Sequence, residues 1–398
     1  MMFKKVTSAD HAREIFLKAI APLQGDEDSS IEESDGRISA MDVVAPVDVP
    51  HYRRAAMDGF AVRASDTLGA GSNSPVMLKL GKDVEKGVCA RVHTGSPVPQ
   101  GADAVIMLED TVLHDSMVEI FAQVHPFKNV GEIGEDIQKG ETVIEEGHRL
   151  RPCDIAVLAS LGIENIKVVK KPSVAIIPTG EELVPRRKRT LRDGEVYETN
   201  GLMADLYIRK WGGITRLHEI VTDNPEKIKE AITSSLDTDM IIISGGTSVG
   251  KRDYVPAVVE SMGELLVHGV GISPGKPAAL GMINGKPVVC MPGYPVAGIV
   301  ALYWFAQPAL WKIGRIPDEP QRCVRAILAE KITSRAGYKT FTRVRLEIPH
   351  AGSYRAIPLA TSGAGILSSV SKADGFVIIP ENVEGRSRGE EVEVVLID

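Results

Sequence analysis

The run Asp239-Met-Ile-Ile-Ile-Ser-Gly-Gly-Thr-Ser-Val-Gly-Lys-Arg-Asp-Tyr254 constrains the fold more than any other part of this chain. Its β-branched stretch, 241–243, predicts a buried strand. The strand empties into a glycine-rich turn starting at Gly245, and a helix is expected to begin near Asp253. Strand, glycine turn and helix N-terminus in succession aim backbone N–H groups at one point, which suits a phosphate or another oxyanion. Gly245 to Lys251 matches the opening of the G-x-x-x-x-G-K nucleotide-triphosphate loop. The Ser or Thr that should follow and hold Mg²⁺ is Arg252, and then Asp253. The expectation is therefore an anion cradle with a carboxylate at its lip, not a triphosphatase.

The cradle sits within a regular alternation. Strands are predicted over 173–177, 214–221, 241–243, 264–270 and 287–291. Helices are predicted over 201–211, 225–236, 254–262 and 295–312. Such alternation with short turns predicts an α/β domain with a mostly parallel sheet covered on both faces. In that architecture ligands bind at the carboxyl ends of the strands. Three glycine-bearing turns fall there: Pro178-Thr-Gly180, the Gly245 turn and Met291-Pro-Gly-Tyr-Pro295. One site is expected to gather all three.

The flanking regions read differently. A helix is predicted over 7–20, capped by Ser8 or Asp10, with Ala12, Ile15, Phe16, Ala19 and Ile20 on one face. Residues 46–146 carry short β-type runs, at 103–108, 118–121 and 141–144, and predict a β-rich insertion; a helix is expected over 154–161. After Pro317 the chain is again β-like. Alternation over 343–348 places Arg343 and Arg345 on one strand face, and runs at 377–379 and 391–396 complete a small barrel or sandwich.

Composition excludes several classes of function. The formal charge of −7 over 398 residues argues against nucleic acid as the main partner. The basic run Arg186-Arg-Lys-Arg189, with Arg192, reads as a solvated loop, with contact to an anionic cofactor or partner as the lesser reading. Four scattered cysteines without zinc-ligand spacing predict a reduced, cytoplasmic protein. No signal-peptide core is visible at the N-terminus, and the longest apolar stretch, 296–305, is about half a membrane span, so no membrane anchor is expected.

Taken in order, the motifs resemble the MoeA family of molybdopterin molybdenumtransferases. They are Ala56-Met-Asp-Gly-Phe-Ala-Val62, His93-Thr-Gly-Ser-Pro-Val-Pro99, Gly134-Glu-Asp-Ile137, Pro178-Thr-Gly-Glu-Glu-Leu183, Tyr197-Glu-Thr-Asn200, Ser244-Gly-Gly-Thr-Ser-Val-Gly250 with Asp253-Tyr254, Ser273-Pro-Gly-Lys-Pro277 and Pro292-Gly-Tyr-Pro-Val296. Each is weak alone. Their shared order over nearly the whole chain is specific. The resemblance implies an elongated, discontinuous N-terminal domain (1–45 and 147–171), a β-rich inserted domain (46–146), a molybdopterin-binding α/β domain (172–317) and a C-terminal β-barrel (318–398). It also implies a homodimer whose site joins the α/β domain of one copy to the insertion of the other.

By the same resemblance the substrates are adenylylated molybdopterin and molybdate, Mg²⁺ is required and AMP is released. The dithiolene of the pterin supplies the sulfur ligands, so the protein needs no metal-binding cysteines. Phosphates are expected on Gly245, Gly246, Thr247 and Ser248, and Mg²⁺ on Glu182 and Asp253. Asp223 is either a site residue or a helix cap. Asp58, Thr94 and Asp136 are expected to act from the partner copy. Ser273, Pro274, Gly275, Lys276, Pro292 and Pro295 are expected around the bound cofactor. Arg343 and Ser369 are expected to meet the oxyanion. Carboxylates, cradle and Lys276 are expected in one cleft. The chain departs from the family pattern where Ser273 replaces a lysine, Gly269 another lysine, Tyr294 an asparagine and Ala297 a serine, all near the oxyanion corner. Tungstate in place of molybdate, or a molybdopterin carrier without turnover, are the alternatives. Contact with a molybdopterin adenylyltransferase is a further expectation.

Overall fold

The computed structural model describes residues 6–188, 190–247, 254–318, 320–348, 352–359 and 367–397, and these form two compact units. The first takes in the described residues among 1–27, 36–38 and 168–398; the second, those among 28–35 and 39–167.

At the centre of the first unit is a six-stranded sheet. In chain order its elements are β1 (Ser173–Pro178), α1 (Asn200–Lys210), β2 (Ile214–Leu217), α2 (Pro225–Thr233), β3 (Met240–Ser244), α3 (Val255–Met262), β4 (Glu264–His268), β5 (Ala279–Ile283), β6 (Lys286–Met291) and α4 (Pro295–Ala301). The strands lie in the order β2-β1-β3-β6-β5-β4. The first four are parallel, while β5 and β4 close the sheet antiparallel. Strand periodicity sorts side chains to two faces. Val174, Ile176, Met240 and Ile242 join α1 and α4 in one apolar layer. Ala175, Ile177, Ile241 and Ile243 join α2 and α3 in the other. Chain order and spatial order part at β1, whose neighbours are β2 on one side and β3 on the other, so β1 and β3 flank the switch point where such sheets open a crevice.

Two expectations about strands are corrected. The strand expected over 264–270 is broken at Gly269, whose φ of +87° turns the chain. Glu264–His268 stays in the central sheet, whereas Val270–Ser273 leaves it to pair with Thr7–Ser8 and with Lys339–Glu347. Strand β5 was not expected; it forms a hairpin with β6 around Asn284 and Gly285, both at positive φ.

Helix Ala9–Ala19 is capped by Ser8, whose Oγ accepts from the His11 N–H, and it buries Ala9, Ala12 and Phe16 in the same layer as α4. Beyond α4 the helical path continues to Ile313; it is the single described helix long and apolar enough to cross a membrane, yet 83% of its apolar window lies inside the protein. Strands Lys339–Glu347, Tyr354–Pro358, Cys323–Leu328, Glu391–Leu396 and Gly375–Ile379 pair in that order, and the last returns to the first. The C-terminal element is thus a closed five-stranded barrel around Val344, Ala356, Val377 and Val394.

In the second unit a six-stranded sheet runs in the order Ala104–Met107, Gly59–Val62, Val88–Val92, Val76–Gly81, Met117–Ile120, Thr111–His114. Phe60 and Val62 face one apolar cluster; Ala61 and Val92 face another. Helix Pro152–Ser160 lies in this unit.

Candidate functional site

Three turns at the carboxyl ends of β1, β3 and β6 meet around a cavity of about 590 Å³. Thr179 and Gly180 leave β1, Gly245, Gly246 and Thr247 leave β3, and Pro292 to Pro295 lead from β6 into α4. Hydrogen bonds lock the strand ends together: the Thr179 N–H donates to the Ser244 carbonyl (2.7 Å) and the Gly245 N–H to the Met291 carbonyl (3.1 Å). Space is so tight here that only glycine fits. Gly245 has φ +107°, and a β-carbon on it would lie 2.2 Å from the Thr179 carbonyl oxygen. Gly246, at φ +59°, would put one 2.8 Å from Val255.

Polar groups converge on the same space. Glu182 stands in the turn before the short strand Leu183–Val184 and lines the cavity. Asn224 is the cap of α2, its side chain accepting from the Glu226 and Lys227 N–H groups, so Asp223 is left in the cavity wall. Asn200 donates from Nδ2 to the Gly293 carbonyl (2.7 Å). Its Oδ1, and the Oγ1 of Thr179, are buried without a hydrogen-bond partner among the described residues. Such atoms are costly unless something arrives to satisfy them. Sequence reasoning gave neither residue a role, although both lie inside quoted motifs. Ser248 and Asp253, expected in the cradle and at the metal, lie outside the described residues.

The donor set fits a hard cation. Glu182 and Asp223 bring carboxylates to the cavity, and no group of three His, Cys, Asp or Glu side chains gathers among the described residues. Mg²⁺ characteristically takes one or two carboxylates and completes its shell with substrate phosphates and water.

A second cavity, of about 320 Å³, opens between Ser273 and Pro274 and the barrel residues Thr333, Ser334, Arg335, Thr340 and Arg343. Its lining is rich in hydroxyls and carries two guanidinium groups. Arg343 is only 5% exposed, and burial pulls its guanidinium below the usual arginine range. Ser273, Pro274 and Arg343 therefore line a cavity other than the glycine cradle's. The segment from Ser273 to Pro277 links the two: Ser273 and Pro274 line the second cavity and Pro277 the first. Lys276, half-buried, lies between them and lines neither, as does Gly275 at φ +133°. Ser369 is buried in helix Leu367–Ser371 and lines neither cavity.

In the second unit Asp58 and Thr94 are brought together. The Thr94 N–H donates to Asp58 Oδ1 (2.6 Å) and its hydroxyl to the same atom (3.0 Å). These two donors, the N–H first, hold the exposed Asp58 carboxyl below its ordinary range. Asp136 is exposed, with its backbone N–H on the Val49 carbonyl.

Comparison with known proteins finds relatives along nearly the whole chain. Residues 7–162 match the description of the MoeA N-terminal region (domain I and II), 175–312 a probable molybdopterin binding domain, and 325–397 the MoeA C-terminal region (domain IV). A putative molybdopterin biosynthesis protein of Methanocaldococcus jannaschii is 38% identical, over 94% of each chain. The chain belongs to the MoeA family. Another MoeA-family relative, from Haemophilus influenzae and named molybdopterin molybdenumtransferase, is 31% identical over 97% of each chain. The crystal structure of the molybdopterin biosynthesis MoeA protein of Pyrococcus horikoshii superposes with a TM-score of 0.84 at 36% identity, covering 99% of this chain and all of that one. Within the MoeA frame, the cradle, Glu182 and Asp223 fall in the molybdopterin-binding match, Arg343 and Ser369 in the C-terminal match, and Asp58, Thr94 and Asp136 in the N-terminal match.

Proposed function

We propose that this MoeA-family protein serves molybdenum-cofactor biosynthesis by inserting molybdenum from molybdate into adenylylated molybdopterin, with Mg²⁺-dependent release of AMP. One observation carries the reading: glycine turns, three carboxylates and two unsatisfied buried polar atoms converge on one cavity, next to a separate cationic, hydroxyl-lined one.

The residues divide the work between the two spaces. Backbone N–H groups of the Gly245 turn receive phosphate oxygens at the ends of β1 and β3. Thr179 and Asn200 orient the ligand by supplying the polar atoms left without partners. Glu182 and Asp223, with Asp253, would hold Mg²⁺, which neutralises the charge of the phosphoanhydride during its cleavage. The oxyanion is bound in the second cavity by Arg343, aided by Arg335, Ser273 and the surrounding hydroxyls. Positioning of the two substrates through the 273–277 segment, with Lys276 between them, provides the remaining contribution. No cysteine is required, because the pterin itself supplies sulfur to the metal.

Asp58, Thr94 and Asp136 act in this reading from the partner copy of a homodimer. A molybdopterin adenylyltransferase is the enzyme expected to hand over the adenylate. The deciding experiment is AMP release by the purified protein given adenylylated molybdopterin and Mg²⁺, with molybdate and tungstate in parallel. Oxyanion-dependent AMP release supports the insertase and names its metal. Tight pterin binding without AMP under either oxyanion overturns it in favour of a carrier, the reading to which Ser273, Tyr294 and Ala297 lend their lost polarity.

A further inference from the structure

The basic residues Arg186, Arg187, Lys188 and Arg192 lie in the chain between two strands that wall the first cavity. Two short parallel strands, Leu183–Val184 and Val196–Tyr197, form an arm, and Leu183, Val196 and Tyr197 line the cavity. Described residues between and beside these strands contact one another. Lys188 pairs with Glu195, the Arg192 N–H donates to the same carboxylate (2.9 Å), and the Tyr197 hydroxyl donates to the Lys188 carbonyl (2.7 Å). Lys188 is thereby spent inside the arm. Arg186 and Arg187 are exposed and have no ion-pair partner among the described residues. Arg186 stands three residues from Leu183, a chain reach of at most about 10 Å.

The charge of the cavity makes this placement consequential. Glu182, Glu198 and Asp223 line it, and the whole chain is at −7, so an incoming polyanion meets an unfavourable field. Cations at the mouth of a low-dielectric cleft reverse that field locally and raise association rates. Resting on the function proposed above, we propose that Arg186 and Arg187 form an electrostatic capture arm for the phosphoanhydride of an adenylated ligand entering the first cavity. An acidic protein partner is the competing occupant. The strands bearing the arm are themselves cavity walls, which favours the small ligand.

The test uses the full-length protein with adenylylated molybdopterin and, as a direct binding probe, ADP with Mg²⁺. The double variant R186A/R187A should weaken ADP binding about tenfold at ~50 mM salt and raise KM for the pterin similarly, with kcat unchanged. The deficit should vanish near ~0.5 M salt, where charges are screened over a few ångströms. R186K/R187K should behave as the native chain, and adenosine, which lacks phosphate, should bind all three proteins alike. Unchanged ADP affinity and salt dependence in the double alanine variant would overturn the arm while leaving the function standing. An equal loss of adenosine binding would also overturn it, as would a loss that salt does not erase. If the native chain binds neither ADP nor the adenylylated pterin, the functional reading fails first and the arm with it.

Discussion

The α-carbon of Gly245 lies so close to the carbonyl of Thr179 that a β-carbon there would sit 2.2 Å from the oxygen. Two strand ends, β1 and β3, are held by this approach at the separation that opens the crevice between them. Gly245→Ala must therefore either push them apart or abandon the left-handed backbone conformation. A loss of about 1–3 kcal/mol is expected, read from chemical denaturation. Affinity for ADP with Mg²⁺ should fall at least tenfold. Retained affinity in a well-folded variant would show that the cradle does not bind phosphate.

Arg343 should matter to one substrate only. It is buried in the second cavity and absent from the first. Arg343→Gln is expected to reduce molybdate affinity tenfold or more while leaving ADP affinity within about twofold, measured by calorimetry, because hydrogen bonds to charged groups contribute about 1.5–3 kcal/mol. Arg335→Gln, at the exposed side of the same cavity, should show a smaller, salt-sensitive effect. Equal losses for both ligands would merge the two cavities into one functional site.

Subunit complementation tests the division between the two units. Asp58→Ala and Glu182→Ala should each abolish AMP release in separate preparations. Mixed and refolded together, they should recover about a quarter of native activity if each site draws Asp58 from one copy and Glu182 from the other, and if all copies pair at random. No recovery would place both residues in the same copy's site.

Thiol chemistry should divide the cysteines two and two. Cys89 and Cys290 are buried, and burial pushes their thiols up to about 11 and about 12 respectively. Cys153 and Cys323 are exposed, although partial burial and the Glu393 carboxylate raise Cys323. At pH 8, a disulfide reagent should titrate Cys153 first, Cys323 more slowly and the other two only after denaturation. Four fast thiols in the native protein would contradict this packing.

Acid sensitivity of the second unit should trace to Asp154. Its carboxylate accepts from the Arg151 guanidinium (2.9 and 3.0 Å) and from His148 Nε2 (2.8 Å), and these bonds, the guanidinium first, hold it far below the ordinary carboxylate range. A depressed folded-state value contributes stability above the unfolded pKa, about 4, and loses it as pH falls further toward the folded value. Asp154→Asn should therefore lower Tm more at pH 7 than at pH 2, because the folded-state carboxylate gives up its contribution progressively below about pH 4. An unchanged Tm at pH 7 would remove Asp154 from the account.

Much of this was legible in the sequence, for identifiable reasons. Strand 241–243 and its glycine turn declared themselves because a fully buried parallel strand is a continuous apolar run. Strand β5 hid because Gly281 interrupts its pattern; that glycine is there for helix α3, since a β-carbon on it would lie 2.6 Å from Val259. The missed signal was Asn284-Gly285, a favoured hairpin turn. Asp223 stayed ambiguous because its neighbour Asn224 can cap as well, and only the observed bonds to Glu226 and Lys227 decide between them. The separation of Arg343 and Ser273 from the cradle was not readable, because it depends on Gly269 sending one strand into a different sheet.

The short segment from Ser273 to Pro277 is shared property of both cavities, and that has a thermodynamic consequence. If fixing its position from one side alters the work of filling the other, the two cavities are coupled. Such linkage is symmetrical: if bound oxyanion tightens the hold on the adenylate by some factor, bound adenylate tightens the hold on the oxyanion by the same factor. On the proposed function, and if that factor exceeds one, scarce molybdate would leave the adenylated pterin loosely held, and the supply of the metal would set how long the organic half of the cofactor waits.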